Sequence, residues 1–202
     1  MNYASDIAFT DTVKAIQESK GSRDAYARVE QSHGWETQIT TEAKVFIESQ
    51  TSVFLATANA AGQPYVQHRG GPAGFLRVLD RETIGFVDYS GNQQFISLGN
   101  LAENPQAYLF LIDYSQRRRI KIWGEASVVE NDPALLAQLM PAHYKARPAQ
   151  VILFKVKAWD ANCPQHIPRR YEAADVERAL AERDQRIAEL EAQVRALQAA
   201  RE

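Results

Sequence analysis

Apolar positions change their spacing twice along the chain, and the changes divide it into three zones. Over residues 1–50 the spacing is helical: Val13, Ile16 and Gln17 share one face, behind Thr10 or Asp11 as the cap. Gly21 and Ser22 break that helix. A second helical stretch, Glu42–Glu48, carries Ala43, Phe46 and Ile47 at core spacing. From residue 52 the pattern turns to short β-rich runs bounded by turn residues. SVFLATA (52–58) is closed by Asn59-Ala60-Ala61-Gly62, and PYVQHR (64–69) follows at hairpin distance. GFLRVLD (74–80) and TIGFVDYS (83–90) are joined by Asp80-Arg81-Glu82. AYLFLID (107–113) is apolar on both faces, RRRIKIWGEASVVE (117–130) is long and alternating, and VILFKVKAW (151–159) completes the set. Two helices interrupt these strands. One spans about 92–103 and ends at Asn104-Pro105; the other starts at Asp132-Pro133. Closely spaced strands with hairpin turns predict an antiparallel barrel rather than a parallel sheet.

The third zone, 172–202, carries Val176, Leu180, Arg183, Ile187, Leu190, Val194 and Leu197 at alternating spacings of three and four. This is a heptad seam with Leu180, Ile187 and Val194 at a, and Leu190 and Leu197 at d. β-Branched a residues with Leu at d lean towards a parallel two-stranded coil, in which Arg186 at g faces Glu191 at e. Arg183 interrupts the seam at a d position, so a single amphipathic helix lying on its own barrel is the other reading. The zones suggest three parts: a helical segment over 1–50 packing on the barrel, the barrel over 51–171, and the C-terminal helix over 172–202.

Composition narrows the function classes. Apolar residues make up 45% and charged residues 24% of the 202 positions, a globular balance. A net charge of −2 offers no polyanion-binding field, so neither nucleic acid nor anionic membrane is an expected partner. No apolar run approaches the roughly 18 residues of a membrane helix, and MNYASDIAF does not read as a signal peptide. One cysteine, Cys163, cannot form an intrachain disulfide and suits a reducing cytoplasm.

Three stretches could carry chemistry. Gln67-His68-Arg69-Gly70-Gly71-Pro72-Ala73-Gly74 concentrates glycines that weaken a strand but let backbone approach a ligand, beside an arginine for an anion. A β-bulge or barrel corner would explain one or two of them. Asp88-Tyr89-Ser90-Gly91-Asn92 ends a strand and opens a helix offering Ser97 and Asn100, a plausible phosphate seat. In Arg117–Gly124 the strand period puts Ile120 and Ile122 inside. Arg119, Lys121 and Trp123 then face outwards, towards a ligand, a partner subunit or solvent. Cys163 and His166 form only half of a zinc-binding pattern, so no metal site is expected. No nucleophile-elbow, Walker or dinucleotide-binding sequence lies in a fitting context.

In this order the segments VFLATANAAGQPYV, HRGGPAGF, GFVDYSGN, LAENP, AYLFLID and RRRIKIWG resemble the pyridoxamine 5'-phosphate oxidase family of FMN-binding split barrels, over roughly 52–130. The resemblance implies a fold that is mainly β with α, an antiparallel split β-barrel, in a homodimer with two FMN molecules between subunits. It implies a flavin-dependent oxidoreductase working on a small molecule or electron donor. Arg69, Arg77, Ser97, Asn100 and Arg119 would hold phosphate and ribityl, and backbone at Gly70, Gly71, Asp88 and Tyr89 would line the flavin. His68 and His166 would stand on the substrate side. Where the oxidase carries an Arg-Lys pair for the phosphate, this chain has Ile96 and Ser97. Its Arg-Gln pair appears as Arg118-Arg119, and its C-terminal Trp and Arg are not recognisable. The ending WDANCPQHIP (159–168) looks like a flavin-nucleotide-binding subgroup, so pyridoxine chemistry is not implied. A non-catalytic flavin carrier or sensor, and a haem-binding split barrel, are the alternative functions.

Overall fold

The computed structural model describes residues 3–162 and 164–200. The chain divides into two compact units, one of residues 1–113 and 118–164, the other of 114–117 and 165–202. In the first, a 3-10 turn, Ala4–Ile7, leads to α1 (Asp11–Ser19), α2 (Arg23–Ser32) and α3 (Thr41–Ser49). Then follow β1 (Ser52–Ala58), β2 (Pro64–Gly70), β3 (Arg77–Val78), β4 (Thr83–Tyr89), α4 (Ile96–Glu103), β5 (Gln106–Asp113), β6 (Arg118–Val129), α5 (Pro133–Leu139) and β7 (Pro148–Asn162). The second unit holds α6 (Ala173–Ala199).

The seven strands form one antiparallel sheet in the order β2-β1-β5-β6-β7-β4-β3. Alternation builds its inner face: Val53 and Leu55, Leu109 and Leu111, Ile120 and Ile122, Ile84 and Phe86, and Ile152 and Phe154 all enter one core. α3 adds Ala43, Phe46 and Ile47 to it. Thr40 starts α3 by accepting the Ala43 N–H at 3.2 Å. α5 is capped by Asp132, which accepts the Leu135 N–H at 2.9 Å. It covers the outer face of β4 and β7 through Leu139 against Val87 and Val151. The sheet is thereby a split β-barrel.

One glycine lets the long strands turn the corner. β6 and β7 slip register between Trp123 and Gly124, where a Cβ on Gly124 would stand 2.1 Å from the Lys155 carbonyl oxygen. Only glycine admits that approach.

The structure corrects several expected elements. GFLRVLD yields only the two residues of β3. Gly74 has φ +86 and donates to the Glu48 carbonyl, and the Phe75 N–H closes a turn onto Pro72. Phe75 and Leu76 are then both buried, which a strand could not achieve on one face. The helix expected from 92 begins at Ile96, because Gln93 and Phe95 take left-handed φ values of 58 and 54. α2 is a helix that apolar spacing did not reveal. Its buried position is Glu30, which accepts a bond from Ser5 Oγ at 2.8 Å and pairs with Arg23.

The outer face of the sheet is covered unevenly. Over β6, Trp35 stacks on Trp123 with ring centroids 4.6 Å apart, and Phe9 lies 5.0 Å from Trp35. The same outer face of β2, β1 and β5 presents the row Val66, Ala56 and Tyr108, whose Tyr108 ring meets Trp123 at 5.0 Å, and the row His68, Phe54 and Phe110. Val66 is 58% exposed.

Candidate functional site

A cleft opens where the two ends of the sheet come together. β2 is one edge and β4 stands next to the other, with β1, β5, β6 and β7 between them. Yet Arg69 of β2 forms an ion pair with Asp88 of β4, their side chains only 14% and 7% exposed. Side chains rather than a backbone ladder therefore close the barrel at this point. Gln150 of β7 donates its amide to the other Asp88 oxygen at 2.9 Å.

Beside this pair lies a cavity of about 310 Å³, lined by Tyr65, Gln67 and Arg69 from β2, the loop 90–95, Ser97 and Gln150. Period two explains the β2 contribution, since residues 65, 67 and 69 share a face. The loop leads into α4, whose cap residue Phe95 makes no side-chain capping bond. The first-turn amides of α4 are thus not capped by a side chain, and such amides attract an anion. Ser97 adds its hydroxyl, now donating to Gln67 Oε1 at 3.0 Å.

Three buried polar atoms of residues lining the cavity make no hydrogen bond: Arg69 Nε, Asp88 Oδ1, which the Arg69 ion pair engages, and the hydroxyl of Tyr89, whose ring packs against Val87, Leu139 and Val151. Burial, with Tyr144 nearby, pushes the Tyr89 phenol up to about 12, so it stays protonated as a donor. An orphaned guanidinium N–H, the Ser97 hydroxyl and uncapped amides make a donor-rich wall, the complement of a phosphate with its neighbouring hydroxyls. On this chemistry the residues present fit the phosphate end of FMN.

Arg69, Asp88, Tyr89 and Ser97 thus gather at one cleft. The other candidate residues stand elsewhere. Asn100 is buried and donates to Thr57 Oγ1 at 3.0 Å. Gly71 leaves room for Phe75, whose Cβ would lie 2.6 Å from an added Cβ, and Gly70 lies against the Thr51 carbonyl. Arg77 is exposed on β3. Arg119 pairs in register with Ile112 and shares the outer face of the sheet with Tyr108. His68 is on that face too, its Nε2 bonded to Ser52 Oγ at 2.7 Å. His166 belongs to the second unit, with φ 62. Cys163 lies outside the described residues. Sequence reasoning placed Gln67 in the candidate stretch without giving it a role and passed over Tyr65 and Gln150; counting back by two from Arg69 reaches Gln67 and Tyr65, whereas Gln150 carries no local signal.

Of the outward trio on β6, Lys121 and Trp123 are engaged within the chain. Lys121 pairs with Asp160 at 2.9 Å and lies over Trp35 and Trp123. They border a second cavity of about 370 Å³ that also touches Phe9, Tyr26 and Glu30. Its Lys121, Asp160 and Glu30 already have partners. Among the described residues no cluster of His, Asp and Glu could hold a metal ion. No helix there is long and apolar enough to cross a membrane.

A family model described as pyridoxamine 5'-phosphate oxidase matches residues 39–163. No curated protein matches the chain by sequence. Among solved structures, HupZ of Group A Streptococcus is 21% identical, over 66% of this chain and 99% of that one, with a TM-score of 0.50. An FMN-binding protein from Syntrophomonas wolfei subsp. wolfei is 12% identical over 72% and 97%, with a TM-score of 0.49. HutZ, the heme storage protein from Vibrio cholerae, is 20% identical over 60% and 90%, at 0.39.

Proposed function

The chain belongs to the pyridoxamine 5'-phosphate oxidase family, and from that premise we propose that it binds FMN at the split of its barrel and acts as a flavin-dependent oxidoreductase on a small molecule. The observation that supports this most directly is the donor-rich cleft where Arg69, Tyr89, Ser97 and the start of α4 converge. The α4 amides and Ser97 hydroxyl take the phosphate, in place of the family's Arg-Lys pair. Arg69, held in position by Asp88, supplies the cationic wall. Bound FMN would provide hydride or electron transfer, while the protein orients it and sets its electrostatics.

The cleft is small for the whole cofactor. At about 310 Å³ it stands at the lower end of ligand pockets, which run from roughly 300 to 1,000 Å³. The remainder of the site comes from a second copy. The outer face of β2, β1 and β5, with Val66, Phe54 and Phe110, is the apolar surface suited to a homodimer. Arg119 stands on that same outer face and, in the dimer, reaches the flavin held by the other chain. This places Arg119 and Arg69 at one flavin without requiring them to meet within one chain.

The test is reconstitution of the purified protein with FMN, read by visible absorbance and by thermal unfolding. Stoichiometric flavin bands are expected, and at a hundred times the dissociation constant about 2.7 kcal/mol of stabilisation. A protein that takes up no flavin and shows no shift overturns the reading. A Soret band on titration with haem, in a chain indifferent to FMN, assigns the haem-binding function instead.

A further inference from the structure

We propose that α6 pairs with α6 of a second copy of this chain, as a parallel, in-register two-stranded coiled coil. The inference is independent of the flavin site. α6 runs for 27 residues without one buried position, a rod of about 40 Å. Val176, Leu180, Ile187, Leu190, Val194 and Leu197 are all between 43% and 68% exposed. They form a single stripe along one side of the helix. A seam this regular and this bare is built to be covered by another helix.

Charge identifies that helix and its direction. The e positions Glu177, Asp184 and Glu191 are all acidic, whereas the g positions are Ala179, Arg186 and Gln193. An antiparallel pair sets e against e and so brings acid against acid. A parallel pair sets g against the following e, so Arg186 of each helix meets Glu191 of the other. Arg183, the one polar residue in the seam, occupies d. In a parallel coil a d side chain enters a hole bordered by the partner's next e residue, and here that residue is Asp184. The interruption thus becomes a pair of cross-helix ion pairs that exist only in one orientation and one register. Within a single chain Arg186 pairs with Glu189 at 2.9 Å and Arg195 with Glu191 at 3.7 Å. Both pairs are largely exposed and contribute little, so exchanging them across the seam costs little. In the C-terminal half Ile187 and Val194 at a, with Leu190 and Leu197 at d, favour two strands.

The test uses the full chain without FMN, with Cys163→Ser as background. Leu197→Cys, at d, should oxidise almost wholly to a covalent dimer. The parallel coil brings these two positions into disulfide range, whereas an antiparallel pair would hold them roughly 30 Å apart along the axis. Gln185→Cys, on the opposite face, is the control for tails that merely drift near each other, and should stay monomeric on a denaturing gel. Arg186→Glu should lower the Leu197→Cys yield several-fold, and adding Glu191→Arg should restore it. Equal yields at positions 185 and 197, or no cross-link at 197, overturn the proposal; the latter is what a seam kept for a different protein would give.

Discussion

Arg69 and Asp88 join strands that are five places apart in the order of one sheet, and they do so as an ion pair almost closed to solvent. Two charges at the rim of a cavity give this split barrel a polar latch in place of a last ladder of backbone bonds. Removing one partner from a buried pair leaves the other uncompensated, at a cost of about 3–5 kcal/mol. Arg69→Met and Asp88→Asn should each destabilise on that scale. The double variant should lose clearly less than the sum, as contacting residues do. Urea unfolding of the four proteins measures this, and strict additivity would show that the pair does not close the barrel.

The same arginine separates site from surface. If Arg69 bonds the flavin phosphate or ribityl, Arg69→Ala should weaken FMN by about 1.5–3 kcal/mol, in the range for charged hydrogen bonds. Arg77→Ala, on an exposed strand outside the cleft, should change affinity little. Calorimetric titration of both variants decides it, after thermal unfolding has confirmed that each remains folded.

Tyr89 should respond in opposite senses with and without ligand. Its hydroxyl is buried with no partner, so Tyr89→Phe removes an unmet polar group and should stabilise the free protein by about 1 kcal/mol. With FMN present the variant should bind more weakly, because the phenol is then a lost donor. A variant less stable without ligand would mean that the hydroxyl already has a partner in solution.

Alkaline pH tests the two perturbed phenols. Burial pushes both Tyr89 and Tyr108 up to about 12 in the fold, against about 10 for an ordinary phenol. Between those values the folded state holds protons that the unfolded state has lost. Their contribution to stability is therefore complete below about pH 10 and declines as pH rises towards 12. Unfolding free energy should fall over that window, and Tyr89→Phe with Tyr108→Phe should fall less steeply. Identical slopes would place the alkaline transition on other groups.

Gly124→Ala should be among the most damaging of single-methyl changes. The new carbon would meet the Lys155 carbonyl oxygen, a backbone atom that cannot turn away. Overpacking of this kind costs about 1–3 kcal/mol, and more where backbone must move. The variant's melting temperature checks this, with Gly99→Ala, which has open space around it, as the harmless comparison.

The sequence by itself determined the strands whose burial alternates, the caps at Thr10 and Asp132, the family and the long C-terminal helix. These are local: each depends on which residues within a few positions point the same way. It could not determine where α4 begins, because two left-handed residues before Ile96 answer to the cleft they border rather than to their own preferences. Nor could it show that Glu30 is a core residue, since a charge counts as surface until Ser5 and Arg23 meet it. The glycine cluster at 70–74 was legible as a place of close approach, yet Phe75 is what approaches Gly71. Above all, only the tertiary structure decided that Arg69 and Asp88 face each other while Arg119 stands on the outer face. Closing a sheet on itself brings together residues that no period connects. The cleft exists because β2 and β4, from the two ends of one sheet, meet through two side chains.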